Sequence, residues 1–244
     1  MKKLLKYILI FFIAVCNTGY AAEDPWILLQ EQFNTIETKP VLNQPDPWKK
    51  LRGVFLPFSL QEEEQAILNP VAAKTMAQKI NHGLSQYESI VETASQTFKI
   101  PKVIIKAVIM AESGGDHYAK AGTTSAKGLM QTIDSTFKMA RNGLADQGIQ
   151  ISDNPFDPES SIMAGAWYLD KMYKKAIKDK KIKIVARNDI ASWRYPLEYY
   201  YAGPLNGVKS ENKIYVFSNG TQRVIDKRAY SKKIQKWAKI LAVS

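Results

Sequence analysis

Apolar positions change their spacing along this 244-residue chain, and the changes divide it into parts. An unbroken apolar run, Ile8 to Val15, follows Lys2, Lys3 and Lys6. From Ala22 to His82 the pattern is interrupted by Pro25, Pro40, Pro45, Pro47, Pro57 and Pro70, which predicts an extended strap with short helices around Gln61 to Leu68 and Val71 to Asn81. Helical spacing then takes over. Ile90, Ala94 and Phe98 mark a helix over Ser85 to Phe98, and Thr132 to Ala140 reads as a short amphipathic helix. Asp157 and Pro158 supply an N-cap and a first-turn proline, after which Ile162, Ala166, Leu169, Tyr173 and Ala176 predict about five helical turns. Near the end, Ile214 to Phe217 and Gln222 to Ile225 flank Asn219 and Gly220, the signature of a type I′ hairpin. The chain is therefore expected to be mainly α with one minor β-hairpin, divided at residues 1–21, 22–82 and 83–244.

One segment departs from amphipathic spacing. Val103 to Ala111 is apolar except for Lys106, and it ends in Glu112, Ser113, Gly114 and Gly115. With Pro101 in front and two glycines behind, Lys102 to Ser113 reads as a helix apolar on all sides, which belongs inside a core. A carboxyl at its C-terminal end meets both partial burial and the negative end of the helix dipole, and both raise its pKa. The dipole is worth only ~0.3–1 kcal/mol, so burial must supply any larger shift. A carboxyl that holds its proton near neutrality suits a general acid. On these residues alone, a solvated Glu at a helix end is the competing reading.

Further motifs decide between them. Gly128, Leu129, Met130 and Gln131 follow sixteen positions later, then Phe156, Asp157, Pro158 and Glu159 with Ala164 to Leu169, then Tyr200, Tyr201, Ala202, Gly203 and Pro204. Together with Glu112 to Gly115, and with Arg228 to Ile240 as a closing helix, this ordered series resembles the lytic transglycosylases of the soluble, lysozyme-like (SLT-type) group over residues 84 to 244. The resemblance implies a lysozyme-like, goose-lysozyme-type helical domain that cleaves the bond between N-acetylmuramic acid and N-acetylglucosamine in peptidoglycan. It also implies that Glu112 is the one catalytic carboxyl, acid first and base second. The muramoyl C6 hydroxyl then serves as nucleophile, and the product carries a 1,6-anhydro end. Ser113, Met130, Gln131, Tyr200 and Tyr230 fall at saccharide-side positions. By the same resemblance Ser113 shapes the turn beneath the carboxyl, and Met130 and Gln131 line the groove. Tyr200 matches the family's active-site tyrosine, whose hydroxyl would hold Glu112 or the muramoyl acetamido group, and Tyr230 is a second candidate for the same wall. Two departures stand out: Tyr201 occupies a position where the family commonly has Asn, and in the altered loop at Gly122 to Ser125, Thr123 is the candidate to replace the family's serine.

A hydrolase would need a second carboxyl about 5–5.5 Å away for retention, or roughly 6.5–9.5 Å for inversion. Asp116, Asp134, Asp157, Glu159 and Glu198 all have ordinary readings as loop, helix-start, cap or surface residues. A hydrolytic muramidase is the alternative, and a wall-binding or secretion-apparatus accessory protein is a second.

The amino terminus reads as a cleaved signal peptide with Gly19, Tyr20 and Ala21 at the cleavage site, because an apolar core of roughly a dozen residues falls short of the about 20 that span a membrane. Val15 does not suit a lipoprotein signal around Cys16. The expected location is periplasmic or exported. Cys16 is the only cysteine, so thiol chemistry and disulfides leave with the signal, and His82 and His117 are too scattered for a metal site. No cofactor or metal is expected. The net charge of +11 lies largely on Lys171 to Lys183 and Lys227 to Lys239, solvated faces suited to anionic cell-wall or membrane surfaces rather than to nucleic acid. Residues 22–82, with Trp26, Trp48, Phe55 and Phe58, are expected to pack on the domain or to meet an envelope partner.

Overall fold

The structure is a computed structural model; it describes residues 60–122, 124–180, 182, 186–216 and 222–243, all within one compact unit. The hairpin tip at Asn219 and Gly220, Thr123, and everything before residue 60, including the signal and strap readings, lie outside the described residues. Nine helices and one two-stranded antiparallel sheet are present among them, so the mainly α fold with a minor hairpin is observed.

The helices are α1 (Leu60–Leu68), α2 (Pro70–Gly83), α3 (Glu88–Phe98), α4 (Lys102–Glu112), α5 (Asp134–Ala145), α6 (Pro158–Lys180), α7 (Arg194–Ala202), the single turn α8 (Pro204–Gly207) and α9 (Lys227–Leu241). Strands β1 (Lys213–Val216) and β2 (Gln222–Ile225) pair with Ile214 opposite Val224. Short 3₁₀ turns precede α3 and α7. No helix of the described residues is long and apolar enough to cross a membrane.

Local chemistry accounts for most boundaries. Asn69 accepts a hydrogen bond from the Val71 amide at 2.9 Å and Pro70 opens α2, whose Ala73, Met76, Ala77 and Ile80 then face the core at helical spacing. Asp157 caps α6 by accepting from the Ser160 amide and hydroxyl at 2.9 and 2.6 Å. With 23 residues, α6 is more than six turns long, and α3, α5 and α7 pack around it. The α5 helix begins two residues later than its apolar pattern suggests, because the Lys127 amide donates to the Thr132 carbonyl and holds that residue in a bridge. It also runs through Gly143, where an added Cβ would collide with the Trp167 indole, so this glycine serves helix packing rather than helix termination.

Helix α4 is buried from Ile104 to Met110. Its one internal charge is satisfied: Lys106 Nζ donates to Asn81 Oδ1 at 2.8 Å and pairs with Glu88 Oε2 at 2.6 Å. A buried cation left without such partners would cost several kcal/mol. These contacts tie α4 to α2 and α3. Helix α9 packs on α4, α7 and α2, and Lys236 reaches Glu63 of α1 at 3.2 Å. Residues 60–83 are thus part of the same core as the helices that follow.

Candidate active site

Glu112 is the last residue of α4, and the chain turns away from it through Ser113, Gly114 at φ 65° and Gly115 at φ 91°. The buried Ser113 hydroxyl lies 2.9 Å from the Leu129 carbonyl and 3.1 Å from that of Ile109, and it accepts from the Gly115 amide at 3.2 Å. Its hydrogen-bonding capacity is spent on backbone, so Ser113 joins the end of α4 to the 128–131 segment.

That segment is held in three ways. Gly128 has φ 75°, and a Cβ there would drive into the Pro155 carbonyl and the Ser161 hydroxyl. Met130 is fully buried against Gly165, with its amide donating to Ser161 Oγ at 3.3 Å. Gln131 adopts φ 48°, rare for a residue other than glycine, and its Nε2 donates to the carbonyls of Ala119 at 2.9 Å and Gly128 at 2.8 Å. The Gln131 Oε1 atom is closed to solvent without a partner. Both side chains, expected along a saccharide groove, instead brace the loop in this conformation. Gly128→Ala is expected to cost at least about 1–3 kcal/mol from strain alone, with further loss from the collision. Thermal denaturation measures this, and an unchanged Tm would mean that the loop tolerates another path.

Two tyrosines from other helices complete the surroundings. Tyr230 of α9 donates its hydroxyl proton to Glu112 Oε1 at 2.6 Å. Tyr200 of α7 donates to the Met130 carbonyl at 2.7 Å and packs its ring on Tyr168 at 5.5 Å. Tyr201, one residue on, stacks on Tyr230 with ring centroids 4.4 Å apart and planes 11° from parallel. Of the two tyrosines named from the sequence, Tyr230 bonds the carboxyl and Tyr200 holds the loop. Lys233 and Ser161 do not stand out in the sequence; their signals are the three-residue spacing of Tyr230 and Lys233, which puts them on one helix face, and a serine inside a buried helix stretch.

Glu112 retains some exposure as a residue, yet its carboxyl lies deep among protein atoms. Burial pushes its pKa from the ordinary 4.5 to about 7, against smaller lowering effects from the Tyr230 hydrogen bond and the Lys233 charge. No carboxylate is among the groups that set this value. Asp116 accepts from the Tyr118 amide, Asp134 pairs with Lys127, Asp157 caps α6, Glu159 is exposed and Glu198 pairs with Arg194. Removing the Tyr230 hydroxyl withdraws a donor that favours the charged form, so Tyr230→Phe is expected to raise the Glu112 midpoint. A hydrogen bond to a charged group is worth ≈ 1.5–3 kcal/mol, or roughly 1–2 pH units. Carbon-13 titration of the glutamate carboxyls, with Glu112→Gln to assign the signal, measures the shift; a fall would contradict the assigned role.

Among the described residues no cluster of three His, Cys, Asp or Glu side chains comes together as a metal site. His117 directs Nδ1 at the Phe156 carbonyl, 3.1 Å away.

Residues 89–239 match the family model described as the transglycosylase SLT domain, a span covering more than half of the chain. The chain belongs to that family. Within the SLT domain, Glu112, the braced 128–131 segment and Tyr230 all lie inside the matched span, whereas α1 and α2 precede it. A curated relative, the membrane-bound lytic murein transglycosylase E of Buchnera aphidicola subsp. Acyrthosiphon pisum (strain APS), is 29% identical over 106 residues, which is 42% of this chain and 48% of the relative. The match thus spans about half of that protein. Among solved structures, the X-ray structure of lytic transglycosylase Slt from Pseudomonas aeruginosa, an inactive mutant, aligns with a TM-score of 0.47 at 16% identity over 91% of this chain and 37% of that one. That likeness is too loose to bear on the site.

Proposed function

We propose that this SLT domain is a peptidoglycan lytic transglycosylase in which Glu112 alone handles both proton transfers. The observation that carries the reading is the Glu112 carboxyl at the end of a buried helix, bonded by the Tyr230 hydroxyl and pushed by burial to a pKa of about 7, with no carboxylate among the groups that perturb it. Near neutrality such a group is available both protonated and ionised, as a residue that must donate and then accept requires.

The neutral carboxyl protonates the oxygen at C4 of the departing N-acetylglucosamine as the bond from that oxygen to the muramoyl C1 breaks. The carboxylate left behind removes the proton from the muramoyl C6 hydroxyl while O6 bonds to C1, closing the 1,6-anhydro ring. Glu112 is restored and no water is consumed. The substrate's acetamido carbonyl stabilises the positive charge at C1, in place of a second protein carboxylate. Tyr230 holds Oε1, which leaves Oε2 for the reacting oxygens.

Cleavage of purified peptidoglycan in heavy-oxygen water tests this directly. Hydrolysis places solvent oxygen on C1 of the new end, and transglycosylation leaves that end unlabelled. Label in the product would establish a muramidase instead. The relative's name and the apolar amino-terminal run support an extracytoplasmic address with a cleaved signal peptide; amino-terminal sequencing of the exported protein, expected to begin at Ala22, checks it.

A further inference from the structure

The C-terminal turn of α7 bears two consecutive tyrosines that grip different parts of the site. Successive helical residues point about 100° apart, so Tyr200 and Tyr201 serve different neighbours. Tyr200 fastens the 128–131 segment through the Met130 carbonyl. Tyr201 lies flat on the Tyr230 ring, with 37% of its surface exposed. Behind Tyr201 the helix stops at Ala202, and Gly203 at φ 76° with Pro204 redirects the chain into α8. The start of α9 is anchored from the same side: the fully buried Lys227 donates to the carbonyls of Asn206, Lys209 and Glu211 at 2.7, 2.5 and 2.8 Å. Helix α9 also packs directly on α7, so the backbones bearing the two stacked rings are held together.

Tyr230 reaches Glu112 with the far end of its side chain, so a small swing of the whole ring about the Cα–Cβ bond takes the hydroxyl out of its 2.6 Å contact. A parallel ring at 4.4 Å blocks that swing toward the face it covers and holds the Tyr230 ring by stacking. We infer that Tyr201 is a positioning residue: by clamping the Tyr230 ring it holds the hydroxyl on Glu112 Oε1 and so controls when the carboxyl gives up its proton. The titratable and charged groups facing Glu112 are Tyr230 and Lys233 from α9 and Tyr200 from α7; those facing Tyr230 are Glu112, Tyr200 and Tyr201. Tyr201 thus acts on the carboxyl through Tyr230.

The inference rests on the proposed function only in taking Glu112 as the working carboxyl. Its test reads that carboxyl directly, so it stands or falls whether the enzyme proves a transglycosylase or a hydrolase. Carbon-13 titration of Glu112 is compared in the full chain, Tyr201→Ala, Tyr201→Asn, Tyr201→Phe, Tyr230→Phe and the double variant Tyr201→Ala with Tyr230→Phe. Truncating Tyr201 is expected to raise the midpoint by about half or more of the Tyr230→Phe shift, and to add nothing once the Tyr230 hydroxyl is gone. Tyr201→Phe, which keeps the ring, is expected to retain the parent midpoint. Tyr201→Asn places a polar residue at a partly exposed position and gives a second folded truncation. Three results would overturn the inference: an unchanged midpoint in the truncations, a lowered midpoint as solvent entry alone would give, or an equal shift when the Tyr230 hydroxyl is absent. A raised KM for peptidoglycan with an unmoved midpoint would instead make Tyr201 a saccharide contact.

Discussion

Glu112→Gln is expected to remove activity while leaving the fold intact. Gln keeps the size and polarity of the side chain but neither donates nor accepts the transferred proton, and each positioned proton transfer is typically worth 10²–10⁴-fold. The same substitution is expected to stabilise the protein at alkaline pH. Folding raises the Glu112 pKa from 4.5 to about 7, so between those values the folded state binds protons that the unfolded chain has released. Stability from this group is fully present below about 4.5, falls as pH rises through about 7, and stays at its lower level above that. The ceiling is about 3 kcal/mol, reduced by the partial exposure of the residue. Denaturant unfolding of both proteins from acidic to alkaline pH measures it. Their stability difference should change over that window and be flat outside it. A pH-independent difference would mean that the carboxyl has an ordinary pKa, which would remove the basis for a general acid.

A chain beginning at Leu84, which keeps the entire family span, is expected not to fold cooperatively. It loses Ala66, Ala73, Met76, Ala77 and Ile80 from the core, the Asn81 partner of Lys106 and the Glu63 partner of Lys236. Truncating one buried Met or Ile to Ala costs about 2–5 kcal/mol, and a whole domain is typically stable by ~5–15 kcal/mol. Losing two such side chains, three further core residues and the partners of two lysines therefore uses up most or all of the margin. Circular dichroism melting of the shortened chain against the full chain gives the answer. A sharp transition with wall-cleaving activity would show that α1 and α2 are dispensable and would return them to the role of a docking element.

Much of the helical frame is legible in the sequence. An apolar run closed by two glycines defines α4, and the Asp157 and Pro158 pair starts α6 where it is observed. Local signals were overridden where packing intervened: the helix expected over Thr132 to Ala140 continues through Gly143, which faces Trp167, and Thr132 itself is held outside it by Lys127. The site divides in the same way. Glu112 stands out because a carboxyl at the end of a buried helix violates the surrounding pattern. Which tyrosine bonds it was not readable, since Tyr230 lies 118 residues away and only the packing of α9 on α4 brings it near. Nor does the sequence reveal that Ser113 and Gln131 spend their polar atoms on backbone carbonyls, because any exposed-looking polar residue beside a catalytic group suggests substrate. Prolines in the N-terminal segment mark breaks but do not tell whether the helices between them join a core.

The most direct test of the central claim is mass spectrometry of the soluble products that the purified protein and Glu112→Gln release from the same peptidoglycan. If one carboxyl performs both proton transfers, the parent protein yields muropeptides lighter by one water than their hydrolysed counterparts, and the variant yields none. Reducing-end products of full hydrolysed mass, or anhydro products that persist in the variant, would contradict it.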